Sequence, residues 1–303
     1  MCIIIKYKQM TKVIILDTET TGKSPIKLGT KWGEDYFKKS SDPNIWPRIV
    51  QMSFITYDLE TDKPINISSN IIKLKDNQYP IPVESINIHG ITDEISRDNG
   101  FPIKNVLLKF VDEFGDCDLI IGHNIQFDIN VLCAELALII NNNELTDSIE
   151  KNKFIEVYEK LMNDYYSKYK YCTMRKSKAI CALPTYKYGD DGELLVDANG
   201  QKIQKYNLNG NPSIKNPKLS EAYIHLFKET PAGRLHDSLV DVAVCLRIFM
   251  KLYKDVDIFS EQLYKSNIEI FNIIYPENIN ISPMTPKTSS TGRKRRSHKK
   301  YNL

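Results

Sequence analysis

Thr11-Lys12-Val13-Ile14-Ile15-Leu16-Asp17-Thr18-Glu19-Thr20-Thr21-Gly22 is the first readable element of the chain. The apolar, β-branched run from Thr11 to Leu16 reads as a buried strand. Side chains on a strand alternate between its faces, so Asp17 and Glu19 share one face, a few ångströms apart. Two like charges held that close repel each other and need a cation or a shared proton. Asp, Thr and Gly are also ordinary turn formers after a strand. The segment alone leaves both readings open.

Working outward, Arg48 to Tyr57 and Ile65 to Leu74 read as two further strands. The turn residues Asp58-Leu59-Glu60-Thr61-Asp62 between them predict an antiparallel pair. Pro102 to Phe114 has helical spacing, with Val106, Leu107, Phe110, Val111 and Phe114 on one face. The pattern then predicts a short strand over 118–121 and helices over 125–140 and 155–169. Residues 184–217 carry the turn signals Gly189-Asp190-Asp191-Gly192, Asn199-Gly200 and Asn209-Gly210 and read as a hairpin-rich insertion. Helices follow over 218–227 and 237–253, then a weakly helical stretch over 256–280. From Ser282 on, Pro, Ser, Thr and basic residues read as a disordered tail. No internal repeat is read. Strands first, then alternating helix and strand, indicate an α/β domain with a mixed sheet.

Two more segments carry acidic or basic chemistry. Gly122-His123-Asn124-Ile125-Gln126-Phe127-Asp128 joins the strand over 118–121 to the next helix. Asn124 suits the N-cap. Asp128 falls in the first turn, where the helix dipole favours a carboxylate; that role would explain it without any chemistry. Arg234-Leu235-His236-Asp237-Ser238-Leu239-Val240-Asp241 enters the last major helix, with Asp237 or Ser238 as the cap. Asp241 then lies in a helix that is apolar almost all round, where a carboxylate is costly unless a charge or metal meets it. His236 precedes the helix and reads either as a loop histidine or as a group that swings toward the same region.

Composition narrows the classes. The 303 residues carry a net charge of +3, but seven cations and no acid lie in residues 287–303, so the rest carries about −4. A mildly acidic body does not coat nucleic acid by charge alone; it does suit clustered carboxylates that hold metal ions. The longest apolar runs are far too short to span a bilayer. The opening Met1-Cys2-Ile3-Ile4-Ile5-Lys6 lacks a signal-peptide pattern. Six cysteines without a CxxC pair read as reduced thiols rather than a disulfide or zinc scaffold, which predicts an intracellular, reducing compartment. The basic stretch Gly292–Lys300 reads as a nuclear-import signal, a nucleic-acid tether or a solvated end.

Together the three acidic segments resemble the DEDD-type 3′→5′ exonucleases, in their His-containing, DnaQ-like branch: Asp-x-Glu on a first strand, Asp on a helix after a later strand, and His-x4-Asp on the last helix. Arg48-Ile49-Val50-Gln51-Met52-Ser53, Ile88-His89-Gly90-Ile91-Thr92, Cys172-Thr173-Met174 and Leu219-Ser220-Glu221-Ala222-Tyr223 extend the resemblance over roughly residues 11–253. It implies an RNase H-like fold, with a mixed five-stranded sheet flanked by helices. It also implies phosphodiester hydrolysis to 5′-nucleoside monophosphates by two Mg²⁺ ions, with Mn²⁺ as a substitute. Asp17, Glu19, Asp128 and Asp241 would hold the metal, and His236 would be the general base. Thr20, Thr21 and Gly22, with His89, Asn124 and Phe127, would line the groove for the 3′-terminal nucleotide; core packing is an equal reading for Phe127.

The implied partners are single-stranded or frayed 3′ ends, DNA favoured over RNA, with room for a separate polymerase partner and for an oligomer. An RNA-trimming exoribonuclease, a catalytically idle binding subunit and an RNase H-like endonuclease are the competing readings. The domain division expected is an extension over 1–10, an exonuclease domain over 11–254 interrupted near 184–217, a C-terminal extension over 255–284 and a basic tail over 285–303.

Overall fold

A computed structural model describes residues 11–26, 42–163 and 169–276. The N-terminal extension, most of the 22–47 loop and the basic tail lie outside the described residues. The first strand, β1 (Lys12–Thr20), is central. On one side it pairs antiparallel with β2 (Ile49–Asp58), which pairs antiparallel with β3 (Lys63–Lys73). On the other side it pairs parallel with β5 (Leu119–Gly122), which pairs parallel with β6 (Lys170–Cys172). These five strands make the mixed sheet. A sixth, the two-residue β4 (Phe101–Pro102), extends its edge beside β3 and gives the order β4-β3-β2-β1-β5-β6.

Alternation along β1 divides the core in two. Ile14 and Leu16 face one layer, where Phe54 meets Phe110 edge-on at 5.6 Å. The helices of that layer are α3 (Ile103–Gly115), α4 (Gln126–Asn141) and α5 (Ser148–Asn163). Val13 and Ile15 face the other layer, made chiefly by α8 (Ser238–Lys254). The register of β1 against β2 shifts between Glu19 and Thr20, opposite Gln51 and Ile49. Such a bulge bends a strand and re-aims its side chains, and it lies at the acidic end of β1.

Three short helices and two short strands have no counterpart in the sequence reading. They are α1 (Val83–His89), α2 (Asp93–Asn99), α6 (Thr173–Cys181), β4 and β6. Runs this short and polar show too little periodicity, and capping holds them instead. The Thr92 hydroxyl accepts from Ile95 N–H at 3.2 Å, and Gly90 ends α1 with a left-handed φ of 81°.

Residues 258–275 are part of the α8 core. Ile258, Phe259, Ile270, Phe271, Ile274 and Tyr275 are buried with Val244 and Phe249; α9 (Ile268–Ile274) carries three of them. Arg247, 2% exposed, joins the two parts. Its guanidinium donates to both Asp257 oxygens, at 2.9 and 2.8 Å, and also to Glu229, the Tyr223 hydroxyl and the Tyr275 hydroxyl. A buried cation is tolerated only when paired this fully.

The insertion after α6 corrects the reading that the chain has no repeat. Gly189-Asp190-Asp191-Gly192-Glu193, Asp197-Ala198-Asn199-Gly200-Gln201 and Asn207-Leu208-Asn209-Gly210-Asn211 are three copies of one turn. In each, the first residue's N–H donates to the fifth carbonyl, at 2.8–2.9 Å, and the glycine has φ of 75–81°. The strands between the turns close into rings. Thr185 donates to Ser213, Ser213 to Lys205 and Lys205 to Thr185, at 2.7–2.9 Å; Lys187, Ile203 and Leu195 form a second such ring. The unit is only five residues long and its spacing is uneven, which hid it. Among the described residues no helix is long and apolar enough to cross a membrane.

Candidate active site

The carboxylates of β1 meet two helix ends from opposite layers. Asp17 and Glu19 lie on the β1 face that α8 covers. Thr18, on the other face, reaches the first turn of α4: its N–H and its hydroxyl both donate to Asp128 Oδ1, at 3.1 and 2.8 Å. Asp128 is 4% exposed, so this is no solvated helix end. Asn124 is exposed and has φ of 71°, and Ile125, not Asn124, flanks α4 as its N-cap. The chain turns sharply there, and a left-handed residue makes the turn that delivers Asp128.

The end of α8 is set from β2. Gln51 Nε2 donates to Asp237 Oδ1 at 3.0 Å, Ser238 N–H donates to Gln51 Oε1 at 3.3 Å, and the Ser53 and Ser238 hydroxyls lie 2.6 Å apart. Asp237 caps the helix by accepting from Leu239 N–H at 3.1 Å. One turn on, Asp241 Oδ2 accepts the backbone N–H of His236 at 3.2 Å. His236 is exposed and has φ of 68°. One ligand atom each from Glu19, His236 and Asp241 lies within 4.8 Å of the others.

The electrostatics follow from this crowding. Burial and the surrounding Asp128, Asp241, Glu19 and Asp237 hold the Asp17 carboxyl well above its ordinary range. Burial, then Asp241, Asp128 and Asp237, push Glu19 up to about 8 against the opposing pull of Arg234. Burial raises Asp128 to about 7 despite the two Thr18 bonds. Burial raises Asp241 to about 7 as well, against the His236 N–H. Asp241 Oδ1 is buried with no hydrogen-bond partner. An all-oxygen set with one imidazole, self-repelling and with an orphaned oxygen, fits a hard divalent cation.

The expected groove residues fall in different ranks. Thr21 is locked to the start of β2: its N–H donates to the Arg48 carbonyl, and Arg48 N–H donates to its hydroxyl, both at 2.9 Å. The Thr20 hydroxyl donates to the Gly22 carbonyl at 2.7 Å. A Cβ at Gly22 would meet only Pro47, at an ordinary 3.7 Å, so the chain's own packing does not require glycine there. Phe127 is half-buried, tilted against Trp46 at 6.4 Å between ring centres. His89 does not face the groove openly. It is 6% exposed, and its Nδ1 accepts from Ile91 N–H at 3.0 Å. Burial lowers its pKa, which favours the neutral ring.

Thr18, Gln51, Ser53 and Arg234 belong to the site without having been singled out from the sequence. Gln51 and Ser53 left a signal, as buried polar side chains on an otherwise apolar strand. His123 links the site to the insertion, with Nε2 donating to the Pro217 carbonyl and Nδ1 facing the Thr173 hydroxyl, both at 3.0 Å.

The family model described as Exonuclease, RNase_T, matches residues 14–184, more than half of the chain. That span holds Asp17, Glu19 and Asp128 and stops where the insertion begins; His236 and Asp241 lie beyond it. No curated protein matches the sequence. Among solved structures, Escherichia coli exonuclease I in complex with a dT13 oligonucleotide is 18% identical, with a TM-score of 0.45, over 81% of this chain and 42% of that one. A moderately thermophilic exonuclease I from Methylocaldum szegediense is 19% identical, with a TM-score of 0.45, over 86% of this chain and 45% of that one. The chain thus spans less than half the length of these structures.

Proposed function

The chain belongs to the exonuclease family, and from that premise we propose that it is a metal-dependent 3′→5′ exonuclease that acts on single-stranded or frayed ends, DNA favoured over RNA. The observation that carries this reading is the convergence of Glu19, His236 and Asp241 within 4.8 Å beside Asp17 and Asp128. A module that only bound nucleic acid would gain nothing from clustered carboxylates beside an imidazole, since the carboxylates would repel phosphate.

Asp17, Glu19 and Asp241 would hold one divalent ion, and Asp17 with Asp128 a second. Mg²⁺ suits the oxygen ligands, and Mn²⁺ substitutes for it. Bound there, the ions supply positive charge against the attacking and leaving oxygens of the phosphodiester. The chain's own groups do the rest. His236, exposed at the mouth, takes the proton of the attacking water as general base. The Thr20–Gly22 turn, locked to Arg48, gives the terminal nucleotide a fixed backbone to lie on. Half-buried Phe127 offers an aromatic face that tolerates any base. The product is a 5′-nucleoside monophosphate.

The test is a matched digestion. One single-stranded sequence, as DNA and as RNA with a 5′ label, is incubated with the chain in Mg²⁺, in EDTA and with Asp17→Ala. A ladder shortening from the 3′ end, present only with metal and intact Asp17, is the expected result, and it runs faster on DNA. Cleavage of a circular substrate, or equal cleavage by Asp17→Ala, would overturn the reading.

A further inference from the structure

Asp241, Asp128 and Asp237 raise Glu19, and one cation, Arg234, pulls it down. Every other charged group named at the centre repels a polyanion. Arg234 is exposed, and among the described residues it makes no hydrogen bond or ion pair. Its position is nevertheless defined. The guanidinium lies on the backbone of Gly90: a Cβ built there would stand 2.9 Å from both terminal nitrogens. The αL conformation of Gly90 and the lack of a side chain thus make the bed on which the guanidinium rests. The Arg234 charge also helps to lower the pKa of buried His89. Its own loop is anchored by Ala232 and Gly233, which both donate to the Ile274 carbonyl, at 3.0 and 2.7 Å. An arginine serving stability alone would meet a carboxylate; this one closes on none among the described residues, and its fork of N–H donors stays open.

We propose that Arg234 is a phosphate-binding residue, whose guanidinium takes a phosphodiester oxygen within the last two linkages of the bound 3′ end. A planar guanidinium offers the paired donors that phosphate oxygens accept, in the geometry that a lysine point charge lacks. Set two residues before His236, it draws the polyanion into a site whose carboxylates otherwise reject it, and it registers the strand against the general base. The assignment rests on the nuclease reading above and adds to it the group that holds the substrate backbone.

The experiment uses the full chain carrying Asp17→Asn, so that substrate binds without turnover, and single-stranded oligonucleotides that hold one neutral methylphosphonate at the first or at the second linkage from the 3′ end. Arg234→Ala should weaken binding of the all-phosphate strand about 10–100-fold, the range for losing a hydrogen bond to a charged group. It should also flatten the dependence of log K on log salt by about 0.7, the share of one phosphate on a single strand. At one of the two positions the methylphosphonate should cost the unsubstituted chain the same amount, and the two losses should not add. Arg234→Lys should recover part of the affinity. Additive losses at both linkages, or unchanged binding by Arg234→Ala, would overturn the assignment. The digestion by the chain with Asp17 and Arg234 intact is read separately. If it cleaves while the cycle is additive, Arg234 alone is wrong. If it binds without cleaving, the nuclease reading fails and the cycle still decides Arg234. If it does neither, both fall.

Discussion

Thr18 gives both its N–H and its hydroxyl to Asp128 Oδ1, at 3.1 and 2.8 Å, so a residue of the first strand holds the carboxylate of a helix that lies 110 residues further on. The two bonds fill one oxygen and leave the other for a cation. They also explain why Thr stands between Asp17 and Glu19, on the face turned away from them.

Thr18→Val keeps the shape and the backbone bond and removes the hydroxyl. Losing one buried hydrogen bond to a charged group costs about 1.5–3 kcal/mol. Part of that should appear as lower thermal stability and part as weaker metal use. The expected outcome is a rise in the Mg²⁺ concentration for half-maximal digestion, several-fold or more, with the fold intact by circular dichroism. An unchanged metal requirement would show that the hydroxyl does not orient Asp128.

Raised carboxylates make the metal-free chain sensitive to alkali. Glu19, raised from 4.5 to about 8, and Asp128 and Asp241, raised from 3.8 to about 7, bind protons in the folded chain that the unfolded chain has already released. Their contribution is fully present below pH of about 4 and is lost as pH rises through about 7–8. In EDTA the melting temperature should therefore fall between pH 5 and pH 8. Mg²⁺ or Mn²⁺ at pH 8 should restore it, and Glu19→Gln should flatten the fall. A melting temperature that rises over that interval in EDTA, unaltered by Glu19→Gln, would contradict this electrostatic account.

The site residues differ in what was legible in advance. Asp17, Glu19 and Asp241 stood out because carboxylates at a strand end and in an apolar helix need a physical reason, whereas Asp128 and His236 had ordinary readings on their own and were legible only through the combined resemblance. Their supports did not stand out. Gln51 acts on Asp237 across 186 residues, and Arg247 reaches Asp257 and Tyr275 from a helix that reads as apolar almost all round. Such pairs are written in tertiary packing, not in local pattern. Asn124 looked like a cap because Asn often is one; the tight turn after β5 uses its tolerance of positive φ instead. The turn repeats of the insertion were visible singly as Asn-Gly and Asp-Gly signals, but their closed rings depend on backbone pairing that no residue type specifies.

Removing the acids should separate chemistry from folding. Asp17→Ala or Asp241→Ala should abolish digestion, and each should raise the melting temperature in EDTA, because a repelling carboxylate goes with it. His236→Ala should lower the rate about 10²–10⁴-fold, the range for a lost general base, with binding of the 3′ end retained. Full activity in any one of them would remove that residue from the site.

Gly233 tests the brace behind His236. Its N–H donates to the Ile274 carbonyl at 2.7 Å, and a Cβ there would stand 2.8 Å from the Ile273 carbonyl oxygen. Gly233→Ala must push the loop off α9, and with it both Arg234 and His236. The expected result is a fall in kcat of about 10-fold or more, since small misplacements of a reacting group are costly, while the rest of the α8 core, tied to Asp257 and Tyr275 through Arg247, keeps the chain folded. An unaltered kcat would mean that the loop is positioned from β2 alone.

The insertion should be dispensable for the fold. The Leu183 carbonyl accepts from Lys215 N–H at 2.9 Å, so the two ends of the module are already side by side. None of residues 184–214 is buried, and the rings of hydrogen bonds among them are internal to the module. Replacing 184–214 by Asn-Gly, the pair that best closes two adjacent strands, should leave the melting temperature within a few degrees and the digestion of a short oligonucleotide intact, because His123 keeps its bond to the Pro217 carbonyl. Digestion measured on short and long strands in parallel then tells what the module is for. Loss on long strands alone would place it along the path of the substrate, whereas loss of the fold would show that the three turns brace α6 against α7 (Leu219–Phe227) rather than hang from them.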